Sequence, residues 1–259
     1  MNLETIPSDP WMKLRRFTAA RIALGRTGGS LLTPAVLGFA HDHALARDAV
    51  HAPFDPGALA IKLRVLHPDV LVLASAAIDR ATYLRRPDLG RRLSDESRTQ
   101  LSASPLFPCD LLLLISDGLS ALAAQRQASP LLAALLPRLH EADFKLGPLC
   151  IVRHARVALQ DEVGGLFQAR QSLMLLGERP GLGTPDSLGA YLTYGPRPGR
   201  SDAERNCVSN IRPDGLSPAR AAEKIATLLI ASRRLQLSGI PLKEDPTLPS
   251  PHFPTTPID

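Results

Sequence analysis

The sequence predicts an α/β fold, a Rossmann-like, mostly parallel sheet flanked by helices, with a mainly helical N-terminal region ahead of it. Short apolar runs of strand length recur at Leu111 to Ser116, Leu149 to Arg153, Ser172 to Leu176 and Ala190 to Tyr194. Stretches of helical length and spacing lie between or after them, and clusters of glycine and proline mark the joins. This divides the chain into a mainly helical region over 1–95, a sheet domain over 96–240 and a proline-rich tail over 241–259.

The elements follow in order. Thr33-Pro34 predicts a helix start, a capping threonine before a proline at the first helical position, and Val36, Leu37, Ala40, Ala44 and Ala49-Val50 recur at near-helical spacing behind it. Ahead of it, Ala23 to Ser30 is a glycine loop whose spacing matches neither phosphate fingerprint. Asp69 to Ile78 reads equally as strand or helix. Arg86-Pro87-Asp88-Leu89-Gly90 is a turn, with a helix from Ser94. After the strand ending at Ser116, Asp117-Gly118-Leu119-Ser120 turns tightly into a helix. Pro130 to Ala142 is more helix, with Leu131, Leu132, Leu135, Leu136 and Leu139 on one side. A helix is expected over Asp161 to Arg170. Another starts at Ser217-Pro218, with Ala221, Ala222, Ile225, Leu228, Leu229 and Ser232 tracing its buried face. The six prolines from Pro241 to Pro257 predict an extended or disordered tail.

Composition excludes several function classes. No window approaches the roughly eighteen uninterrupted apolar residues of a membrane span, and the first residues have neither the basic flank nor the apolar stretch of a secretory signal, so a cytoplasmic protein is expected. Cys109, Cys150 and Cys207 form no Cys-x-x-Cys pair, and the seven histidines are scattered, so neither a disulfide framework nor a metal site is expected. The net charge of +5 is mostly arginine, at Arg15-Arg16, Arg85-Arg86 and Arg91-Arg92. With aromatics at only 4% and no stacking or recognition-helix pattern, these arginines read as solvated faces or as partners of an acidic subunit, and nucleic acid is not expected.

Ligands in open α/β sheets sit at the carboxyl ends of strands. Three loops leave strands there: Ser116 to Ser120, Arg153 to Val157, and Gly177 to Leu182. If their strands are neighbours, the loops converge on one edge. Arg205 to Ile211, rich in small polar residues, is a fourth candidate loop. The run Gly177-Glu178-Arg179-Pro180-Gly181-Leu182-Gly183 is either a ligand-shaped loop or an ordinary connection. Its Glu178 is either an acceptor for a ligand's amide or hydroxyl groups or an internal cap on the loop's own N–H groups. Ser120 lacks triad partners, and Cys207 reads as a small buried residue rather than a nucleophile. No catalytic constellation is apparent.

Several of these segments together resemble the small subunit of ethanolamine ammonia-lyase, the adenosylcobalamin-dependent enzyme. They are Thr18 to Arg26, Tyr83 to Leu93, Ser116 to Ser120, Arg156-Val157 with Asp161-Glu162, Gly177 to Leu182, and Asn206 to Ile211, in the family's order from Asp9 to Gly239. The resemblance implies a subunit active only with a large TIM-barrel partner that holds the substrate, in a hetero-oligomer of large–small pairs. It implies conversion of ethanolamine to acetaldehyde and ammonia, with the cobalamin enclosed between the two chains. Carried over by motif, the cofactor contacts fall on Val157, Glu178 and Cys207. The chain has no Asp-x-His-x-x-Gly run, so the coenzyme (adenosylcobalamin) is expected base-on, keeping its own dimethylbenzimidazole on cobalt. Only eight residues precede Asp9-Pro10-Trp11, where the family often carries a longer extension tied in some members to packaging in a bacterial microcompartment; packaging is left open. The alternative to this reading is a free-standing corrinoid- or nucleotide-binding module without lyase activity.

Overall fold

A computed structural model describes residues 10–18, 20–103 and 108–243. Its centre is a six-stranded sheet built from β3 (Val70–Ala74), β4 (Leu111–Ser116), β5 (Leu146–Arg153), β6 (Gln171–Gly177), β7 (Leu188–Tyr194) and β8 (Arg205–Ile211). In space the order is β3-β5-β4-β6-β7-β8. The first four run parallel; β7 and β8 continue the sheet antiparallel. The mostly parallel sheet read from the sequence is therefore present, and the segment 69–78, which read as strand or helix, supplies its first strand. β1 (Arg26–Thr27) and β2 (Ser30–Leu31) form a separate hairpin from the early glycine loop.

Both faces of the sheet are covered. α2 (Pro56–Leu63), α5 (Ala121–Glu141) and α7 (Pro218–Leu235) pack on one face, where Leu63, Leu132, Leu135, Ile225 and Leu229 meet Leu113, Ile115 and Leu175. α4 (Asp95–Ser102) and α6 (Leu159–Leu166) pack on the other, where Leu101, Leu159 and Val163 meet Leu112, Leu114, Val152 and Met174. Strands buried on both sides read as continuous apolar runs, which is why β4 and β6 were legible. The N-terminal region is mainly helical, with α1 (Thr33–His51), α2 and α3 (Arg80–Arg85), and Ala49 is the buried residue of α1. No helix among the described residues is long and apolar enough to cross a membrane.

Four details differ from the sequence expectations or sharpen them. Thr33 is the first helical residue of α1, and its cap is Leu32 without a side-chain bond; Pro34 still occupies the first turn. α5 runs unbroken through Pro130 and Pro137, because nine buried alanines and leucines anchor it and outweigh two lost backbone bonds. Arg205 to Ile211, expected as a loop, is the edge strand β8. Of the tail, Ile240–Lys243 form the short helix α8, and the rest lies outside the described residues.

A buried ion pair ties the antiparallel end of the sheet to α6. Arg205 donates to both oxygens of Asp161, at 2.8 and 2.7 Å, and also to Thr193 Oγ1 and the carbonyl of Arg200. Both side chains are 3% exposed. Burial raises the Asp161 pKa, and the bonds from Arg205 oppose that shift. Removing one partner leaves an uncompensated charge in the interior. Arg205→Met is expected to lose about 3 kcal/mol of unfolding free energy, and adding Asp161→Leu to recover more than half of it, measured by urea denaturation.

Backbone from the ends of β4 and β6 meets closely at Gly177. A Cβ on Gly177 would lie 2.1 Å from the Ser120 carbonyl oxygen and 2.3 Å from that of Asp117. Gly177→Ala is expected to cost at least about 2 kcal/mol by the same measurement, whereas Gly29→Ala, where a Cβ meets nothing within 4 Å, stays within about 0.5 kcal/mol of the parent.

Candidate functional site

The sheet topology puts two strand exits on opposite faces. β4 is followed by α5 on one face, and its neighbour β5 by α6 on the other. Between such strands an open sheet has a crevice at its carboxyl edge, the usual ligand position. Here polar side chains fill it. Asp117, 1% exposed, accepts the His154 backbone N–H at 2.7 Å and the Ser116 hydroxyl at 3.0 Å on Oδ1, and it meets His154 Nδ1 and Arg80 Nη1, each at 3.0 Å, on Oδ2. Arg80 donates further to the carbonyls of Gly118 (2.6 Å) and Val50 (2.7 Å), reaching the last turn of α1. Burial lowers the Arg80 pKa and Asp117 opposes that shift.

Tyr83 stands beside this group. The Arg156 guanidinium lies 4.1 Å from its ring centroid and that of Arg80 4.9 Å. Burial pushes the Tyr83 hydroxyl up to about 12. The tyrosine thus serves as an apolar platform for two cations and stays protonated.

The three predicted loops do converge on this edge. Leu119 N–H donates to the Gly177 carbonyl at 2.8 Å, and the Ser120 hydroxyl to the Pro185 carbonyl at 2.7 Å, so the loops after β4 and β6 are joined directly. Val157 lies half-buried in the turn between β5 and α6. Glu178, also half-buried, follows β6. Its backbone N–H donates to the Ser187 carbonyl at 2.9 Å, and its Oε2 accepts the Ser187 hydroxyl at 2.5 Å and the Asn210 N–H at 3.2 Å. Of the two roles open to Glu178, bracing its own loop is thus visible in bonds, and the brace extends to the edge strand.

Cys207 departs from its expected setting. It lies in the middle of β8, opposite Tyr191, and its side chain is exposed. Burial along this polar edge strand does not alternate: Arg205, Asn206, Val208 and Ile211 are buried, and the pairing shifts register between Leu188 and Ala190, so there was no period-2 signal to read. Tyr191 in turn lies opposite Met174. Burial, with Cys207 and Glu178 nearby, raises the Tyr191 pKa.

Glu178, Tyr191 and Cys207 share one corner of the sheet face that carries α6. Lower on that face, Arg205 and Asp161 pin β8 to the helix. Above them Tyr191 is half-buried while Cys207 and Ser209 are exposed, so the corner is open to solvent. Gly189 keeps it flat: a Cβ there would lie 2.8 Å from Glu178 Oε1 and 3.0 Å from the Tyr191 ring. The result is a shallow shelf on which Cys207 and Ser209 are exposed, with Glu178 along one side over the buried Gly189. A cavity of about 320 Å³ at the opposite edge, lined by Tyr194, Arg200, Gln236 and Ser238 among others, contains none of the predicted residues.

Sequence reasoning placed Asp117 and His154 in loops of this edge without singling either out, and it missed Arg80, Tyr83 and Tyr191 as members of it. Asp117 carried a usable signal, since a carboxylate directly after a buried strand and before a glycine turn sits at a strand exit. The others come together only through tertiary packing.

Comparison with known proteins places the chain. The family described as ethanolamine ammonia-lyase light chain (EutC) matches residues 8–243. The ethanolamine ammonia-lyase small subunit of Azotobacter vinelandii is 54% identical over 240 residues, covering 92% of this chain and 89% of the relative. Those of Pseudomonas fluorescens strain SBW25 and Xanthomonas campestris pv. campestris are 50% and 49% identical, covering 93% and 95% of this chain and 88% and 91% of the relatives. At this identity and coverage the chain belongs to the ethanolamine ammonia-lyase light chain family.

Proposed function

We propose that this chain is the cofactor-enclosing small subunit of an adenosylcobalamin-dependent ethanolamine ammonia-lyase, active only with its large subunit. The reaction converts ethanolamine to acetaldehyde and ammonia in the cytoplasm, in a hetero-oligomer of large–small pairs, with the substrate held by a TIM-barrel partner. Family membership across nearly the whole chain carries the reading.

The residues fit a corrinoid. A broad, nearly flat macrocycle rimmed by amides needs a shelf and hydrogen-bonding groups at its margin, and a deep pocket would not suit it. Cys207 and Ser209, exposed beside the half-buried Tyr191, supply the shelf. The edge strand β8 presents backbone N–H and C=O groups outward, so Cys207 can make contact through its main chain as readily as through its thiol. Glu178 offers acceptor lone pairs to rim amides while its Oε2 bonds to Ser187 and Asn210 hold its position. Val157 offers an apolar contact that keeps water from the ring.

When bound, the coenzyme, base-on in this reading, would supply the radical chemistry that abstracts a substrate hydrogen, while Glu178, Val157 and Cys207 would hold it. This chain's part is to orient and to shield: nothing at its shelf forms a nucleophile–base pair. The second half of the enclosure comes from the large subunit. Apolar surface at the helical N-terminal region suits such docking, with Phe17 70% and Leu37 64% exposed.

Purified chain, purified large subunit and their mixture, each with adenosylcobalamin and ethanolamine, test the reading. Acetaldehyde is expected only from the mixture, and tight corrinoid binding by this chain alone with no turnover in the mixture would replace it with the binding-module alternative. In the active mixture, Val157→Asp and Glu178→Ala are each expected to raise the apparent KM for coenzyme about tenfold, read from initial rates. Leu37→Glu is expected to weaken large–small association about tenfold by sedimentation, leaving the thermal midpoint of the isolated chain unchanged.

A further inference from the structure

Three of the segments that mark the family, Tyr83 to Leu93, Ser116 to Ser120 and Asp161-Glu162, contain no proposed cofactor contact. The structure gathers all three around the turn that contains Val157. On one side Asp117, at the end of Ser116-Asp117, holds His154 by its backbone N–H (2.7 Å) and its ring (3.0 Å), and the Ser116 hydroxyl accepts the Ala155 N–H at 3.0 Å. On the other side the Gly90 carbonyl accepts the Arg156 N–H at 2.7 Å, and the Tyr83 carbonyl accepts Arg156 Nη2 at 3.0 Å. Downstream, Glu162 accepts the Leu93 N–H at 2.8 Å and two nitrogens of Arg98, at 3.0 and 2.7 Å. Residues 154, 155, 156 and 162 are thus each fixed to another segment, and Val157 lies between them.

The turn needs such holding. His154 has φ +58°, a left-handed backbone that a non-glycine residue adopts only where its surroundings enforce it. Asp117 supplies the enforcing contacts, being the acceptor for both the backbone and the ring of that residue. Its charge is anchored in turn by Arg80. Gly90 permits the close approach from the other side: a Cβ there would lie 2.8 Å from Arg156 Cγ and 3.2 Å from the His154 carbonyl oxygen.

We propose that Asp117 is a positioning residue for the cofactor, holding the Val157 turn through His154 while Gly90 seats the same turn from the opposite side. The proposal rests on the functional reading above, since it assumes that Val157 faces cobalamin. Asp117 does not touch the coenzyme. It sets where the turn meets the ring, so its loss appears in coenzyme affinity and not in the handling of ethanolamine.

The test uses the assembled large–small complex. Cyanocobalamin binding is measured by equilibrium dialysis with absorbance detection, and the KM for ethanolamine at saturating adenosylcobalamin is measured alongside. For Asp117→Asn, and independently for Gly90→Ala, the cyanocobalamin dissociation constant is expected to rise about tenfold or more while the ethanolamine KM stays within about twofold. A ligand affinity equal to the parent's in both variants overturns the proposal, as does an ethanolamine KM that rises in step with the cyanocobalamin constant, the mark of general loosening. If Asp117→Asn does not assemble, Gly90→Ala, which moves the turn and leaves the Asp117 carboxylate in place, decides by the same two criteria. A parent complex that binds no corrinoid fails the functional reading itself and is distinguished by that control.

Discussion

The structure turns on one buried carboxylate. Asp117 sits where β4 and β5 send their chains to opposite faces of the sheet, a place where backbone groups would otherwise point into a gap. A carboxylate out of water is tolerable only with its lone pairs filled and its charge matched. Ser116, the His154 N–H and ring, and Arg80 together meet that condition. Because Arg80 also bonds the Val50 carbonyl in the last turn of α1, the same group attaches the N-terminal helix to the sheet edge. One ionised side chain therefore sets three things: the exit of β4, the left-handed turn after β5 and the seating of α1.

Arg205 and Asp161 do the corresponding work at the other end of the sheet. β7 and β8 have no parallel crossover helix of their own to fix their angle to α6. A two-bond guanidinium–carboxylate pair, with Thr193 and the Arg200 carbonyl filling further donors, supplies that angle with directionality that apolar packing lacks. A buried pair of this kind contributes little net stability against a well-packed apolar substitute, so its value here is geometric. It closes the lower part of the face and leaves the corner above it open.

How much of this was legible in the sequence follows from burial. β4 and β6 are covered on both faces, and their unbroken apolar runs announced them; α7 showed its buried stripe at Ala221, Ala222, Ile225 and Leu229 because its other side is wet. β8 was hidden because burial along this edge strand does not alternate, and the register irregularity between Leu188 and Ala190 disturbs the pairing further. α5 was read in two stretches, a helix after Ser120 and more helix from Pro130, and packing on the sheet joins them into one. For the site, residue chemistry alone reached the three strand-end loops and left the role of Glu178 open. Val157 and Cys207 came from family resemblance, since a valine in a turn and a lone cysteine carry no chemical signature. The Asp117 group joins residues far apart in the chain, at 80, 117 and 154, and no local pattern encodes such a meeting.

The filled crevice bears on why such a chain would need a partner. In an open α/β sheet the gap between oppositely directed exits is the one place where a single chain can enclose a ligand unaided. Here Asp117, His154 and Arg80 occupy it, and what the edge still offers is the shelf of Tyr191, Cys207 and Ser209, open to solvent on its far side. A shelf gives orientation without exclusion of water, and a reactive radical intermediate demands exclusion. Under the proposed function, the second wall must then come from another polypeptide, and lyase activity becomes a property of the pair. The interior polarity that stabilises this fold and the dependence of its chemistry on a large subunit then have a common origin in the residues that fill the crevice.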